Sequence, residues 1–144
     1  MSVKRILDQQ KYKLAGGQAE PYSDFAQSFF PHPTTGNISR KVNVDSVKMA
    51  LRNLLLTNKY ERLKNPTFGS NIRRYLFDSF SPTTSKYIEE DIRSAIENNE
   101  PRVRILELNV KQNEDNNALE IDLQFSVITN PEPQNLELTL YRVR

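Results

Sequence analysis

From Ser81 to Val127 the spacing of apolar residues switches from the helical period to the strand period, and Pro101 stands at the switch. Before it, Ile88, Ile92, Ala95 and Ile96 mark one face of a helix of about five turns. Ser81-Pro82 opens that helix with an N-cap and a proline at the first helical position. Pro101 ends it, because proline has no N–H to donate and its ring clashes with the preceding turn. Beyond it, Val103 and Ile105 share one parity while Leu106, Leu108 and Val110 share the other, the pattern of an inserted bulge residue near Ile105-Leu106. Leu119, Ile121, Leu123, Phe125 and Val127 then alternate with Glu120, Asp122, Gln124 and Ser126, as in a strand with one buried face. An amphipathic helix that turns at a fixed corner into one-sided strands implies the α+β class, with helices covering one face of an antiparallel sheet.

The rest of the chain extends this frame. Asp45 caps a predicted helix running through Thr57, with Val47, Leu51, Leu54 and Leu55 as its apolar stripe. A polar, structured loop, Asn58 to Phe68, leads through Pro66-Thr67-Phe68-Gly69 to a short second helix marked by Ile72, Tyr75, Leu76 and Phe77. Asn113 to Asn117 reads as a hairpin loop. Thr129 to Asn135, with two prolines, breaks the sheet before a third strand on Leu136, Leu138 and Leu140, whose other face carries Tyr141 and Val143. The expected order is three helices followed by a three-stranded antiparallel meander, residues 41–144. Ahead of it, residues 1–40 carry Gly16-Gly17, three prolines and the aromatics Tyr12, Tyr22, Phe25, Phe29 and Phe30 without a period. That is an irregular N-terminal arm, too aromatic for a free linker, which packs on its own domain or on a neighbour and closes in the turn cluster Pro31 to Gly36.

Composition narrows the function classes. Twenty basic and 18 acidic side chains leave a net charge of +2, too weak a field to select nucleic acid or a membrane surface. There is no cysteine and one histidine, His32, so thiol catalysis, a disulfide framework and a zinc site are excluded, no cofactor is implied, and a reducing cytoplasm suits the chain. No uncharged apolar run approaches the roughly 18 residues of a membrane span, and the N-terminus lacks the apolar core of a signal peptide. Glu89, Glu90 and Asp91 are adjacent on a helix and point in different directions, unlike the flanking acid pair of a glycosidase. Glu61, Glu97 and Glu100 meet only if the fold brings them together, and otherwise read as solvated helix-face carboxylates. His32 lies between two prolines without a nucleophile motif, and Gly16-Gly17 lacks the context of a phosphate loop.

Glu100-Pro101-Arg102, with Arg104 beyond it, is the remaining constellation. Proline biases the residue before it towards extended backbone, so Glu100, Arg102 and Arg104 are expected on one face while Val103 and Ile105 enter the core. A rigidly presented guanidinium fork suits a carboxylate on another chain, with Glu100 either orienting it or accepting from the partner. The alternative is a helix stop flanked by solvated charges, Arg102 serving the terminal carbonyls. The residues alone leave both open.

The ordered run Thr57, Glu61-Arg62, Pro66-Thr67-Phe68-Gly69, Leu76-Phe77, a helix, and Glu100-Pro101-Arg102-Val103 resembles the baseplate wedge and sheath-initiator family of contractile-tailed phages, related to a baseplate component of type VI secretion systems. The likeness covers roughly residues 45 to 130. Tyr60 departs from it, standing where many relatives carry glycine, and the arm is long for the family. The resemblance implies a structural, non-enzymatic protein of the virion tail, assembled in the host cytoplasm within a six-fold baseplate. Its implied partners are other wedge subunits, docked at Glu100-Pro101-Arg102 and Arg104, the tail sheath protein, met by an open sheet edge such as Leu136 to Arg144, and tail tube or hub proteins. Glu61, Arg62, Pro66, Phe68 and Gly69 are expected to shape the first loop, Phe68 as a core anchor and Gly69 at positive φ. Two other readings attach to relatives of this fold: a peptidoglycan hydrolase, and a regulatory adaptor that binds a response regulator.

Overall fold

The helix that was expected to begin with Asp45 as its cap begins three residues earlier. In the structure, a computed structural model describing residues 22–26, 30–31, 33–78, 81–113 and 116–142, α1 spans Asn43–Leu56 and Asp45 sits inside its first turn. A negative charge there complements the helix dipole without capping it. Readings that involved Tyr12, Gly16-Gly17, Phe29, His32 and Val143 lie outside the described residues.

The chain forms two units, Met1–Ser46 and Val47–Arg144. In the first, β1 (Ser23–Phe25) pairs antiparallel with β2 (Arg40–Val42). The region expected to be an irregular arm therefore holds a strand pair, and among the described residues strands come before the helices. Three residues per strand are too few to show a period. Backbone bonds from Ala26 N–H to Ser39 O (2.9 Å) and Asn43 N–H to Tyr22 O (2.7 Å) extend the pair, and the Arg40 guanidinium donates to Ser23 Oγ.

In the second unit, α1 leads through a loop to the single turn α2 (Ile72–Tyr75), then to α3 (Pro82–Asn99) and the strands β3 (Val103–Asn113), β4 (Ala118–Val127) and β5 (Asn130–Tyr141). Ser81 caps α3 as expected, its Oγ accepting from Thr84 N–H at 3.1 Å. The strands form an antiparallel meander in the order β3-β4-β5. The bulge is where the parity change put it: the register shifts between Ile105 and Glu107, which leaves Leu106 without a partner.

The core lies against one face of the sheet. Val47, Leu51, Leu54 and Leu55 of α1, Ile72 of α2 and Ile88, Ile92, Ala95 and Ile96 of α3 are buried, as are the five alternating residues of β4 and Leu136, Leu138 and Leu140 of β5. At about 1.5–3 kcal/mol per fully buried aliphatic or aromatic side chain, this face supplies most of the drive to fold.

The third strand corrects an expectation. The segment thought to break the sheet, Thr129 to Asn135, belongs mostly to β5, and Ile128-Thr129 is the turn between Val127 and its partner Asn130. Between the pairs Phe125↔Gln134 and Val127↔Asn130 the register shifts, so residues 131–133 stand opposite Ser126 alone. Pro131 and Pro133 fall in that irregular stretch of an edge strand, where a missing N–H removes no ladder bond.

Candidate functional site

The corner is closed by its own residues. The Glu100 N–H caps α3 by donating to Ile96 O at 2.8 Å, and Glu100 has left the helical region, with φ −133° and ψ 73°, as a residue before proline tends to. Val103 N–H returns to Glu100 O at 3.2 Å, completing a tight turn. Glu100 was expected to project into solvent beside Arg102 and Arg104; it is 7% exposed instead. A carboxylate taken out of water needs strong partners, and Arg102 reaches back across the turn to supply them: Nε–H donates to Oε1 at 2.5 Å and Nη2–H to Oε2 at 2.6 Å. This bidentate, charge-assisted pair fixes the plane of the guanidinium. The Arg102 side chain remains 31% exposed. Arg104 is exposed on β3 and meets no carboxylate among the described residues.

A residue from far along the chain joins the corner. Ile128 N–H donates to Arg102 O at 3.0 Å, so the β4–β5 turn lies beside Arg102, with the Ile128 side chain 73% exposed. The sequence carried a signal for it: Ile128 is apolar at the parity that Gln124 and Ser126 occupy on the polar face of β4.

The loop of residues 57–70 is held in one shape by the motif residues. Ser70 N–H donates to Thr57 O at 2.9 Å, and buried Ser70 Oγ donates to Leu55 O at 2.7 Å, which ties the loop's end to the last turn of α1. Glu61 Oε2 accepts from Asn58 N–H at 2.9 Å, and Pro66 O from Tyr60 N–H at 2.8 Å. Phe68 is half-buried rather than a core anchor: the Arg62 guanidinium lies 4.0 Å from its ring centroid, a cation–π contact at the surface. Gly69 has φ +116°, as expected, and Tyr60 itself has φ +70°. The departure from the family pattern at Tyr60 thus keeps the left-handed backbone that glycine adopts freely, with its side chain 80% exposed.

Asp91 is the clasp of this unit. Its Oδ1 accepts from Lys59 Nζ at 2.8 Å and its Oδ2 from Asn71 N–H at 2.8 Å, joining α3 to both ends of the loop. Only the flank position next to Ile88, Ile92 and Ala95 hinted at this. Burial, followed by the nearby Asp91 charge, raises the Tyr75 phenol above its ordinary pKa. Between the loop and the last turns of α3 runs a groove of about 430 Å³ lined by Lys59, Tyr60, Ala95, Asn98 and Asn99 among others, none of them a carboxylate. No group of acidic and histidine side chains suited to hold a metal ion occurs among the described residues.

The comparisons with known proteins agree with this architecture. The sequence model of the family "Baseplate wedge protein gp25" matches residues 41–132. The chain is 35% identical over 96 residues to the baseplate wedge protein gp25 of Enterobacteria phage T4, a match covering 67% of this chain and 73% of that protein. Among solved structures it is similar to a protein of Geobacter sulfurreducens described as a tail lysozyme, at TM-score 0.62 and 27% identity, covering 68% of this chain and 89% of the other. It also shares its fold with a chain of the type VI secretion baseplate complex, at TM-score 0.59 and 17% identity, covering 69% of this chain and 93% of the other. With the family pattern spanning the loop, the capped helix, the corner and most of the sheet, the chain belongs to the gp25 family of baseplate wedge proteins.

Proposed function

We propose that this chain is a structural component of a contractile-tail baseplate, located in the virion tail, that docks on other wedge subunits through Glu100-Pro101-Arg102 and offers a sheet edge to the first tail sheath subunits. The observation that carries the docking role is the Glu100–Arg102 pair. A buried carboxylate orients a part-buried guanidinium at a turn that proline has already stiffened, so little side-chain freedom remains to be lost when a partner binds.

The sheet-edge role is supported by the direction of the ladder. Arg142 N–H donates to Asn117 O at 3.0 Å, so by alternation the even-numbered residues of β5 face β4. Asn135, Glu137, Thr139 and Tyr141 then turn their N–H and C=O groups outward, the groups a further strand requires. Pro133 falls at the same outward parity and shields the start of the strand.

Co-expression with the wedge subunits of the same contractile system tests the docking role. Arg102→Ala alone leaves Glu100 buried without its partner, so the informative variant is Glu100→Gln with Arg102→Ala, which removes both charges together. The expected result is a folded chain that no longer co-purifies with those subunits; normal co-purification would overturn the role of the corner. A hydrolytic role has one observation in its favour, the Geobacter structure. Against it, the groove beside α3 has no carboxylate in its lining, whereas glycoside hydrolysis uses a flanking pair. Clearing of peptidoglycan by the pure chain, lost on carboxylate substitution, would establish that role.

A further inference from the structure

We propose that the end of β5 anchors the strand a sheath subunit adds: a segment laid along the outward edge of β5 packs one apolar side chain on Tyr141 and its neighbour on Phe77. This rests on the sheet-edge role proposed above and names the residues that fix the register of the added strand. Leu76-Phe77 belongs to the ordered run that resembles the family pattern, and packing within the chain accounts for Leu76 but leaves Phe77 at the surface. Leu76 is half-buried and lines a cavity of about 20 Å³ with Tyr75, Ala118, Leu119 and Arg142 among others. Phe77 is 64% exposed, and the Arg142 guanidinium lies 5.6 Å from its ring centroid. Tyr141, next to Arg142 in the chain, is 63% exposed.

The two aromatic rings flank the same end of the edge from opposite faces. Leu136, Leu138 and Leu140 are buried against the helices, so by alternation Arg142 lies on that inner side, where it meets Phe77, and Tyr141 lies on the outer side. Arg142 N–H donates to Asn117 O, so Tyr141 turns its own N–H and C=O away from β4. A residue paired with Tyr141 from outside sets its side chain beside the tyrosine ring, about 4.5–5.5 Å away at Cβ. The next residue, opposite Arg142, turns its side chain to the inner side, towards Phe77. A helix laid on this edge would leave the outward backbone groups unpaired; an extended strand pairs them and reaches both faces. The strand's own sequence argues against a second copy as the occupant. Antiparallel pairing of two β5 edges through Asn135, Glu137, Thr139 and Tyr141 puts Asn135 opposite Tyr141 and Gln134 opposite Arg142. One step of register either way puts Pro133, which has no N–H, or Glu137 opposite Tyr141. None of these registers gives both rings an apolar neighbour.

The test measures binding of the full chain to purified tail sheath protein of the same contractile system by biolayer interferometry, with Phe77→Ser, Tyr141→Ser, their double variant and Thr139→Pro beside the wild type. Both rings are exposed in the free chain, so the serine variants should melt close to the wild type. Each serine variant should weaken binding about tenfold, through loss of one buried apolar contact, and the double variant about a hundredfold. Thr139→Pro, which removes an outward N–H, should weaken binding as well. If Thr139→Pro weakens binding and the serine variants bind as wild type, the anchor is wrong while the sheet-edge role stands. If the wild type does not bind, or all four variants bind as it does, the sheet-edge role falls with the anchor. If the serine variants weaken binding and Thr139→Pro does not, the partner rests on the rings without adding a strand, which overturns the proposal. A wild-type dimer in solution that Tyr141→Ser dissolves would assign the edge to a second copy and overturn it too.

Discussion

Gly69→Ala measures what the close approach inside the 57–70 loop is worth. A Cβ on Gly69 would stand 2.5 Å from Thr57 O and 3.0 Å from the carbonyl carbon and oxygen of Asn58. All three atoms are backbone, so no side chain can swing aside. Two costs follow. A non-glycine residue at φ +116° is strained by about 1–3 kcal/mol. Parting the two segments then weakens the Ser70 N–H bond to Thr57 O and the Ser70 Oγ bond to Leu55 O, each worth about 0.5–1.5 kcal/mol net. Because neither bond need be lost entirely, the expected destabilisation is about 2–4 kcal/mol.

Tyr60 in the same loop separates the two costs. Its φ is also positive, but its side chain lies in solvent. Tyr60→Gly relieves about 1–2 kcal/mol of left-handed strain and gives back about 0.4–1 kcal/mol in unfolded-chain entropy. It should therefore be neutral or stabilising by up to about 1.6 kcal/mol. Urea denaturation followed by circular dichroism, with m unchanged, reads both variants. A Gly69→Ala protein within about 0.5 kcal/mol of wild type would refute the contact, and a clearly destabilised Tyr60→Gly protein would refute the strain.

Four further outcomes are expected. Asp91→Ala should cost about 2–3 kcal/mol in the same denaturation assay, because it releases Lys59 and the Asn71 N–H together. Arg102→Ala should cost about 1–3 kcal/mol, and adding Glu100→Gln should recover part of it, since the buried carboxylate rather than the lost arginine carries most of the penalty. Thr139→Pro should lower stability by less than about 1 kcal/mol, its N–H facing outward, whereas Leu138→Pro should cost about 3 kcal/mol or more by deleting a β4–β5 bond. The raised Tyr75 pKa favours the neutral phenol in the folded state. Its contribution to stability is full below the unfolded value of 10.0 and is lost as pH rises through the folded pKa, so Tyr75→Phe should flatten the fall in stability above pH 10.0.

The elements legible in the sequence were those whose side chains repeat with a period long enough to count. The stripe of α1, the Ser81 cap and apolar face of α3, the bulge at Leu106 and the alternation of β4 each leave a local mark that tertiary contacts did not override. The strand pair in residues 23–42 left none, being three residues on each side. Pro131 and Pro133 pointed to a break because the sequence does not say which strand is an edge, and only edge position makes them tolerable. The site was half legible. Pro101 fixed the corner, but whether Arg102 serves its own chain or another depends on the burial of Glu100, a tertiary fact. Asp91 and Ile128 act through partners 20 and 26 residues away, Asn71 and Arg102, and a one-dimensional pattern does not record such meetings.

The central claim is that this chain is a baseplate subunit held by its corner. A density map of the assembled tail of its contractile system tests it most directly. The expected result is this chain in the baseplate ring with another subunit packed on Glu100-Pro101-Arg102. A tail in which the chain is absent, or in which the Glu100-Pro101-Arg102 corner meets no other subunit, would contradict it.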